Sequence, residues 1–263
     1  MPFPSSERVV FEENPIKEVI CQLQFPTILE IGSESPAGFQ NKVRHGYPIY
    51  NREDALQNLP QEIASLVGQL RLPLPAQLQS PTHKFATSDE SRFISLNPAF
   101  VAVTDKNYRR WEQLSEQIKA AQLALEETYK PAFYTRIGLR YQDVIDKVDL
   151  GLDEPWHALI NPSLIGLLGE QHVQDEVRDI RTVSLVEFKE VRGGFIQLTH
   201  GLKTLAQGDR QVYVIDADFF TRERSELDHV HAILDEFNRG AGNLFRWAAT
   251  PRLQRALKPL PIK

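Results

Sequence analysis

A chain of 263 residues with 41% hydrophobic and 25% charged residues has the balance of a soluble globular protein and excludes fibrous or disordered classes, with length for one large or two modest domains. A formal net charge of −5 excludes a surface that is basic throughout, so any nucleic-acid footprint has to be local. Cys21 is the only cysteine, which excludes a disulfide framework and cysteine-based zinc or iron–sulfur sites. The first predicted element is a strand from Ile16 to Phe25, with Val19, Cys21, Leu23 and Phe25 on one face, Glu18, Ile20, Gln22 and Gln24 on the other, and Pro26 as its stop. A short helix follows from Pro36 to Arg44, with Ser35 as N-cap, Phe39 and Val43 on one face, and Gly46 as its breaker. Tyr47 to Tyr50 reads as extended. Leu59 to Leu72 has helical spacing, and Leu72-Pro73-Leu74-Pro75 fits only a surface connection. An edge-like piece, Lys84 to Thr87, leads into strands Arg92 to Leu96 and Phe100 to Thr104, joined by turn chemistry at Asn97-Pro98.

The centre of the chain is a long helix from Trp111 to Tyr129, whose apolar stripe is Leu114, Ile118, Ala121 and Leu125. Pro131 has no N–H and disfavours helix at Lys130, so the helix stops there. A strand is expected at once: Phe133, Thr135, Ile137, Leu139 and Tyr141 share one face, and Tyr134, Arg136, Gly138, Arg140 and Gln142 the other. After Val148 the composition turns polar, which divides the chain into an N-terminal half, 1–148, and a C-terminal half, 149–263, that together can form one compact unit. The second half predicts a short helix from Pro162 to Leu168, strands Val183 to Glu190, Phe195 to Thr199 and Gln211 to Phe220, and a helix from Glu226 to Trp247. That helix carries Leu227, Val230, Leu234, Phe237, Ala241, Leu244 and Ala248 at steps of three and four, a seam for core or for a subunit contact, with Ser225 and Asp228 as a capping box. Thr250-Pro251 opens a last short helix. Each half thus ends in a meander followed by a long helix, and Phe93-Ile94-Ser95-Leu96 matches Phe195-Ile196-Gln197-Leu198 in pattern. The expected fold is α+β, an antiparallel sheet with two long amphipathic helices packed on one face, as two similar halves.

No glycine-rich phosphate loop, nucleophile elbow or His-Glu-x-x-His motif is present. His229 and His231 point about 200° apart on a helix and do not share a metal. Asp216 and Asp218, two apart on a strand, emerge on one face, a geometry for a divalent cation or paired acid–base work, which His200 joins only in a favourable register. Asp179 with Glu187-Phe188-Lys189 has the acidic residue and Glu-x-Lys spacing of metal-dependent restriction-type nucleases, where carboxylates hold Mg²⁺ and the lysine steadies a hydroxide. Arg136 and Arg140, with Tyr134 and Gln142, suit a phosphate, nucleic acid or acidic partner. Each of these groups has a plainer reading as a solvated sheet face or charged strand end, so no catalytic, cofactor-binding or metal-ligating residue is assigned and no cofactor is expected.

Asn14-Pro15-Ile16, Glu18 to Pro26, Pro36, Phe39-Gln40 and Tyr47-Pro48, with Leu227-Asp228-His229-Val230-His231 through Phe237 to Thr250, resemble an uncharacterised, sporadically distributed bacterial family to which no activity is assigned. The resemblance spans nearly the whole chain and departs from the family at Ala249-Thr250-Pro251. A patchy distribution implies mobile genes, which often serve defence or conflict between bacteria. The leading expectation is therefore a non-catalytic binding or accessory protein acting through a macromolecular partner. The alternative is a metal-dependent hydrolase or nuclease using Asp216/Asp218 or Asp179/Glu187/Lys189. A protein partner is expected and nucleic acid is not favoured by the charge. The even seam of the last long helix, with apolar ends carrying Phe3, Leu257 and Leu260, points to a homo-oligomer in which a neighbouring subunit orders both ends. No uncharged stretch reaches the ~18 residues of a membrane span, and the first residues lack a basic-then-apolar leader, so a cytoplasmic location without membrane contact is expected.

Overall fold

Strands alternate their side chains between two faces, and in this chain the alternation builds one broad sheet. The computed structural model describes residues 1–53, 80–205 and 210–260; the expected helix Leu59 to Leu72 and the connection Leu72 to Pro75 lie outside them. Nine strands are β2 (Ile16–Gln24), β3 (Ile49–Glu53), β4 (Thr82–Ala86), β5 (Arg92–Asn97), β6 (Phe100–Asp105), β7 (Arg136–Asp146), β8 (Thr182–Glu187), β9 (Gly194–Thr204) and β10 (Gln211–Thr221). They form a single sheet in the order β3-β4-β5-β6-β2-β7-β10-β9-β8, with every pairing antiparallel. The fold is α+β. The sheet crosses the 148/149 division, because β7 pairs on one side with β2 and on the other with β10.

Register sorts the faces. Tyr141 of β7 lies opposite Val19 of β2 and Ala217 of β10, and Leu139 lies opposite Cys21 and Phe219. All six are buried in the core, where a fully buried apolar side chain contributes about 1.5–3 kcal/mol. The intervening positions, Arg136, Arg140 and Gln142 on β7 and Asp216 and Asp218 on β10, share the other, open face.

The helices are α1 (Leu29–Ser33), α2 (Ala37–Val43), α3 (Trp111–Tyr129), α4 (Trp156–Leu159), α5 (Pro162–Ile165), α6 (Val230–Ala248) and α7 (Pro251–Ala256). The stripe of α3 buries Leu114, Ile118, Ala121 and Leu125, and the helix stops where Lys130 turns left-handed, at φ 50, ahead of Pro131. The seam of α6 buries Val230, Leu234, Phe237, Ala241, Leu244 and Ala248 within the same chain. Tyr141 of β7 donates its hydroxyl to Asn238 of α6 at 3.0 Å, and Trp111 Nε1 of α3 donates to Asp235 of α6 at 2.7 Å. Thr250 caps α7 by accepting from Leu253 N, as its Thr-Pro start predicts.

Several expectations need correction. β7 begins at Arg136 rather than Phe133, because Tyr134 is held by a two-way backbone bridge to Ser225, at 2.9 Å each way. That bridge engages the Ser225 backbone, and the Ser225/Asp228 capping box does not form; a 3₁₀ turn at Leu227–His229 precedes α6. Ser35 is not the cap of α2, which starts from Pro36 without a side-chain cap. The Lys84 segment is not an edge, since β3 lies outside it. The apolar ends dock on their own chain: β1 (Val10–Phe11) pairs with β11 (Pro259–Leu260), Phe3 packs on Trp247 at 4.9 Å between ring centres, and Leu257 is buried. Among the described residues no helix is long and apolar enough to cross a membrane.

Candidate functional site

On the open face, Asp216 and Asp218 do emerge together, and each meets an arginine from the neighbouring strand. Arg140 donates to Asp216 through Nε at 2.6 Å and Nη2 at 2.5 Å, and Arg136 donates to Asp218 through Nη2 at 2.7 Å. Arg140 and Asp216 form a diagonal cross-strand pair, since Asp216 lies opposite Gln142, whereas Arg136 reaches further, across Gly138, to Asp218, which lies opposite Arg140. The hydrogen bond to Asp216 raises the Arg140 pKa, while burial pushes the Asp218 carboxyl above its ordinary value against the opposing pull of Arg136 and Arg140. Gln142 shares this face, but Tyr134 does not: it is fully buried, with its hydroxyl 3.3 Å from Glu126.

Beyond these pairs the face becomes aromatic. Arg136 lies 4.8 Å over the Phe220 ring, Arg222 lies 4.4 Å over Phe195, and the Phe195 and Phe220 rings stack with centres 6.1 Å apart. β8 ends the sheet here. Leu185 lies opposite Gln197 and Val183 opposite Thr199, so both join the open face, and Leu185 is 52% and Val183 55% exposed. Arginine beside aromatic and aliphatic side chains is the composition of a protein-contact surface, and among the described residues β8 is an outer strand, whose edge offers backbone groups besides.

The other expected groups do not assemble. Asp179 is exposed ahead of β8, whereas Glu187 ends that strand, with about 17 Å of extended chain between them. Glu187 and Lys189 form an exposed ion pair at 3.9 Å. His200 lies opposite Ile215, not Asp216, and turns to the buried face, where its Nδ1 is 2.9 Å from the Tyr213 hydroxyl; burial lowers its pKa. His229 is exposed beside Asp228, and His231 Nδ1 is buried without a partner. Among the described residues no group of three or more His, Cys, Asp or Glu is placed to hold a metal ion.

A feature that sequence reasoning missed lies under the N-terminal segment 6–16. A cavity of about 450 Å³ is enclosed by that segment, residues 108–111, the buried end of β7 and one side of α6. Asp143 reaches it from β7. It occupies the apolar phase of the strand, between Tyr141 and Ile145, is only 5% exposed, and makes no side-chain hydrogen bond among the described residues. Burial, with a contribution from Asp216, pushes its carboxyl up to about 8. The amide oxygen of Asn238 accepts from Tyr141, leaving the amide nitrogen without a partner among the described residues. Arg109 and Arg110 line the mouth and form no ion pair among the described residues. Arg246 bonds to Ser6 and Asn243 but to no carboxylate, and burial lowers its pKa. The signal was present in the sequence as an aspartate on the apolar side of an alternating strand. No family model and no curated protein matches the chain.

Proposed function

We propose that the protein is a non-catalytic binding or accessory protein that holds a protein partner on the open face at β8, β9 and β10, in the cytoplasm and within a bacterial defence or conflict system. The single observation that carries the reading is the state of that face. Its acidic pair is occupied by Arg140 and Arg136, while Val183 and Leu185 stand exposed on β8, opposite Thr199 and Gln197 and on the same face as Phe195. The defence setting comes from the family resemblance alone. In this reading the two long helices lie together on the opposite face, which the bonds from Trp111 to Asp235 and from Tyr141 to Asn238 support. Two related halves meet at the β2–β7 ladder when the division is drawn ahead of β7 rather than after it: each then runs as a long strand, a helical stretch, a meander and a long helix, and β6, β5 and β4 on one side answer β10, β9 and β8 on the other, with β3 as an extra strand.

The alternative, a metal-dependent hydrolase or nuclease, needs carboxylates that converge on an open pocket. Asp216 and Asp218 are each clamped by an arginine, and Asp179 stands a strand's length from Glu187 and Lys189. Those arrangements favour binding over hydrolysis.

The test is co-purification from the native host with wild type and the Val183→Asp/Leu185→Asp variant. A partner held by wild type and lost from a variant with an unchanged circular dichroism spectrum supports the reading; a second copy of this chain in that place would make the contact homo-oligomeric. A protein recovered alone that turns over a nucleic acid or small molecule, with loss of turnover on Asp216→Asn or Asp218→Asn, overturns it.

A further inference from the structure

The cavity beneath segment 6–16 lies on the buried side of β7, away from the partner surface, and combines three features that a structural void does not need. Its floor carries Asp143, more than nine-tenths buried and without a hydrogen-bond partner among the described residues. The Asp143 carboxyl opens only to the cavity, so its hydrogen bonds have to be made there, with water in the resting protein or with the polar edge of a ligand that displaces it. Next to it Asn238 has an amide nitrogen free to donate. The walls are aromatic: Tyr108 and Tyr141 meet edge to face at 5.7 Å, with Trp111 and Phe245 lining the same space. Arg109 and Arg110 also line it, exposed and in no ion pair among the described residues, whereas Arg246 is held by Ser6 and Asn243.

These features select a ligand class. Aromatic walls favour a flat ring. A carboxyl and an amide at the floor offer donors and acceptors side by side, the pattern that reads the hydrogen-bonding edge of a heterocycle. Arginines without carboxylate partners favour a phosphate, which their planar forks bind at two points. The volume of about 450 Å³ falls in the range of roughly 300–1,000 Å³ occupied by small-molecule sites. We propose that this cavity binds a nucleoside monophosphate, with the base between the aromatic walls, its edge on Asp143 and Asn238, and the phosphate at Arg109 and Arg110.

Asp143 and Asn238 act as binding groups here, with no bond made or broken. Between Trp111 and Asp235 the hydrogen bond fixes α3 to α6 at 2.7 Å, which holds the walls at a set spacing and makes the site preformed. Segment 6–16 is tied down at both sides, by Ser6 on Asn243 at 3.1 Å and by Asn14 on the Tyr108 carbonyl at 2.7 Å.

The experiment is isothermal titration of the full chain with AMP, GMP, CMP and UMP, with adenosine and inorganic phosphate as partial probes, alongside thermal melting. The expected result is saturable binding of at least one monophosphate and a raised melting temperature, with the nucleoside alone and phosphate alone each weaker. Asp143→Ala removes the floor contact and Arg109→Gln/Arg110→Gln removes phosphate contacts, and each weakens binding by about tenfold or more. Asp143→Asn keeps both a donor and an acceptor and should restore much of the affinity lost in Asp143→Ala, which separates base contact from loss of packing. Absence of binding by all four monophosphates at millimolar concentration overturns the proposal. So does binding that neither Asp143→Ala nor the double arginine variant weakens while their spectra remain native.

Discussion

Arg140 of β7 grips Asp216 of β10 through Nε and Nη2 at 2.6 and 2.5 Å, two residues along the strand from its direct cross-strand neighbour Asp218. Two-point contact fixes the guanidinium plane, and the Asp216 side chain is largely shielded while the arginine remains partly in solvent. Cross-strand ion pairs of this kind contribute about 0.2–1 kcal/mol. In a double-mutant cycle of Arg140→Gln and Asp216→Asn, measured by urea unfolding, a coupling of about 1 kcal/mol is expected, falling as salt is added. A coupling of zero would show that the pair is geometric only.

Asp143 gives a pH signature with a defined sign. Its carboxyl is raised from 3.8 to about 8 in the folded protein, first by burial and then by Asp216. Below the lower value both folded and unfolded chains hold the proton. Across the interval the unfolded chain has released it while the folded chain keeps it, so stability falls as pH rises and the loss is complete above about 8. The stability of wild type relative to Asp143→Asn is therefore expected to be greater at pH 5 than at pH 9. Denaturant midpoints at the two pH values check this, and an unchanged difference would mean that the carboxyl titrates like an exposed one.

Two glycines in α6 are predicted to respond in opposite directions. A Cβ at Gly240 would stand 2.8 Å from ring carbons of both Phe188 and Phe219, so the missing side chain makes room for the rings. At Gly242 the nearest atoms belong to the flexible end of Arg246, at 3.1 Å. Gly240→Ala is expected to cost about 1–3 kcal/mol through overpacking, outweighing the gain in helix propensity. Gly242→Ala is expected to gain about 0.5 kcal/mol once the arginine shifts. Thermal melts of the two variants decide it; equal changes would rule out the packing explanation.

Much of the scaffold was legible because local patterns and burial agree. Val19, Cys21 and Leu23, then Ile137, Leu139 and Tyr141, alternate as a half-buried sheet demands, and the Leu114 to Leu125 stripe has the period of a packed helix. The common face of Asp216 and Asp218 was also legible, and so was the common face of Arg136 and Arg140. What joined the two pairs was register, a property of strands distant in sequence that neither strand encodes alone. Tyr134 misled for the opposite reason: its alternation with Arg136 is regular, but its bridge to Ser225 interrupts the strand before the pattern takes effect. Asp143 belongs to no cluster of acids, and its significance lies in standing alone among apolar neighbours, which only the burial of its strand face makes plain.

The β1–β11 ladder sets a timetable for synthesis. Val10 and Phe11 are made about 250 residues before their partners Leu260 and Pro259. Until then the segment that roofs the cavity lacks this anchor, although β2 directly after it can pair once β7 has emerged. Closure of the roof therefore depends on a contact between residues about 250 apart in sequence, one of the longest-range pairings in the fold.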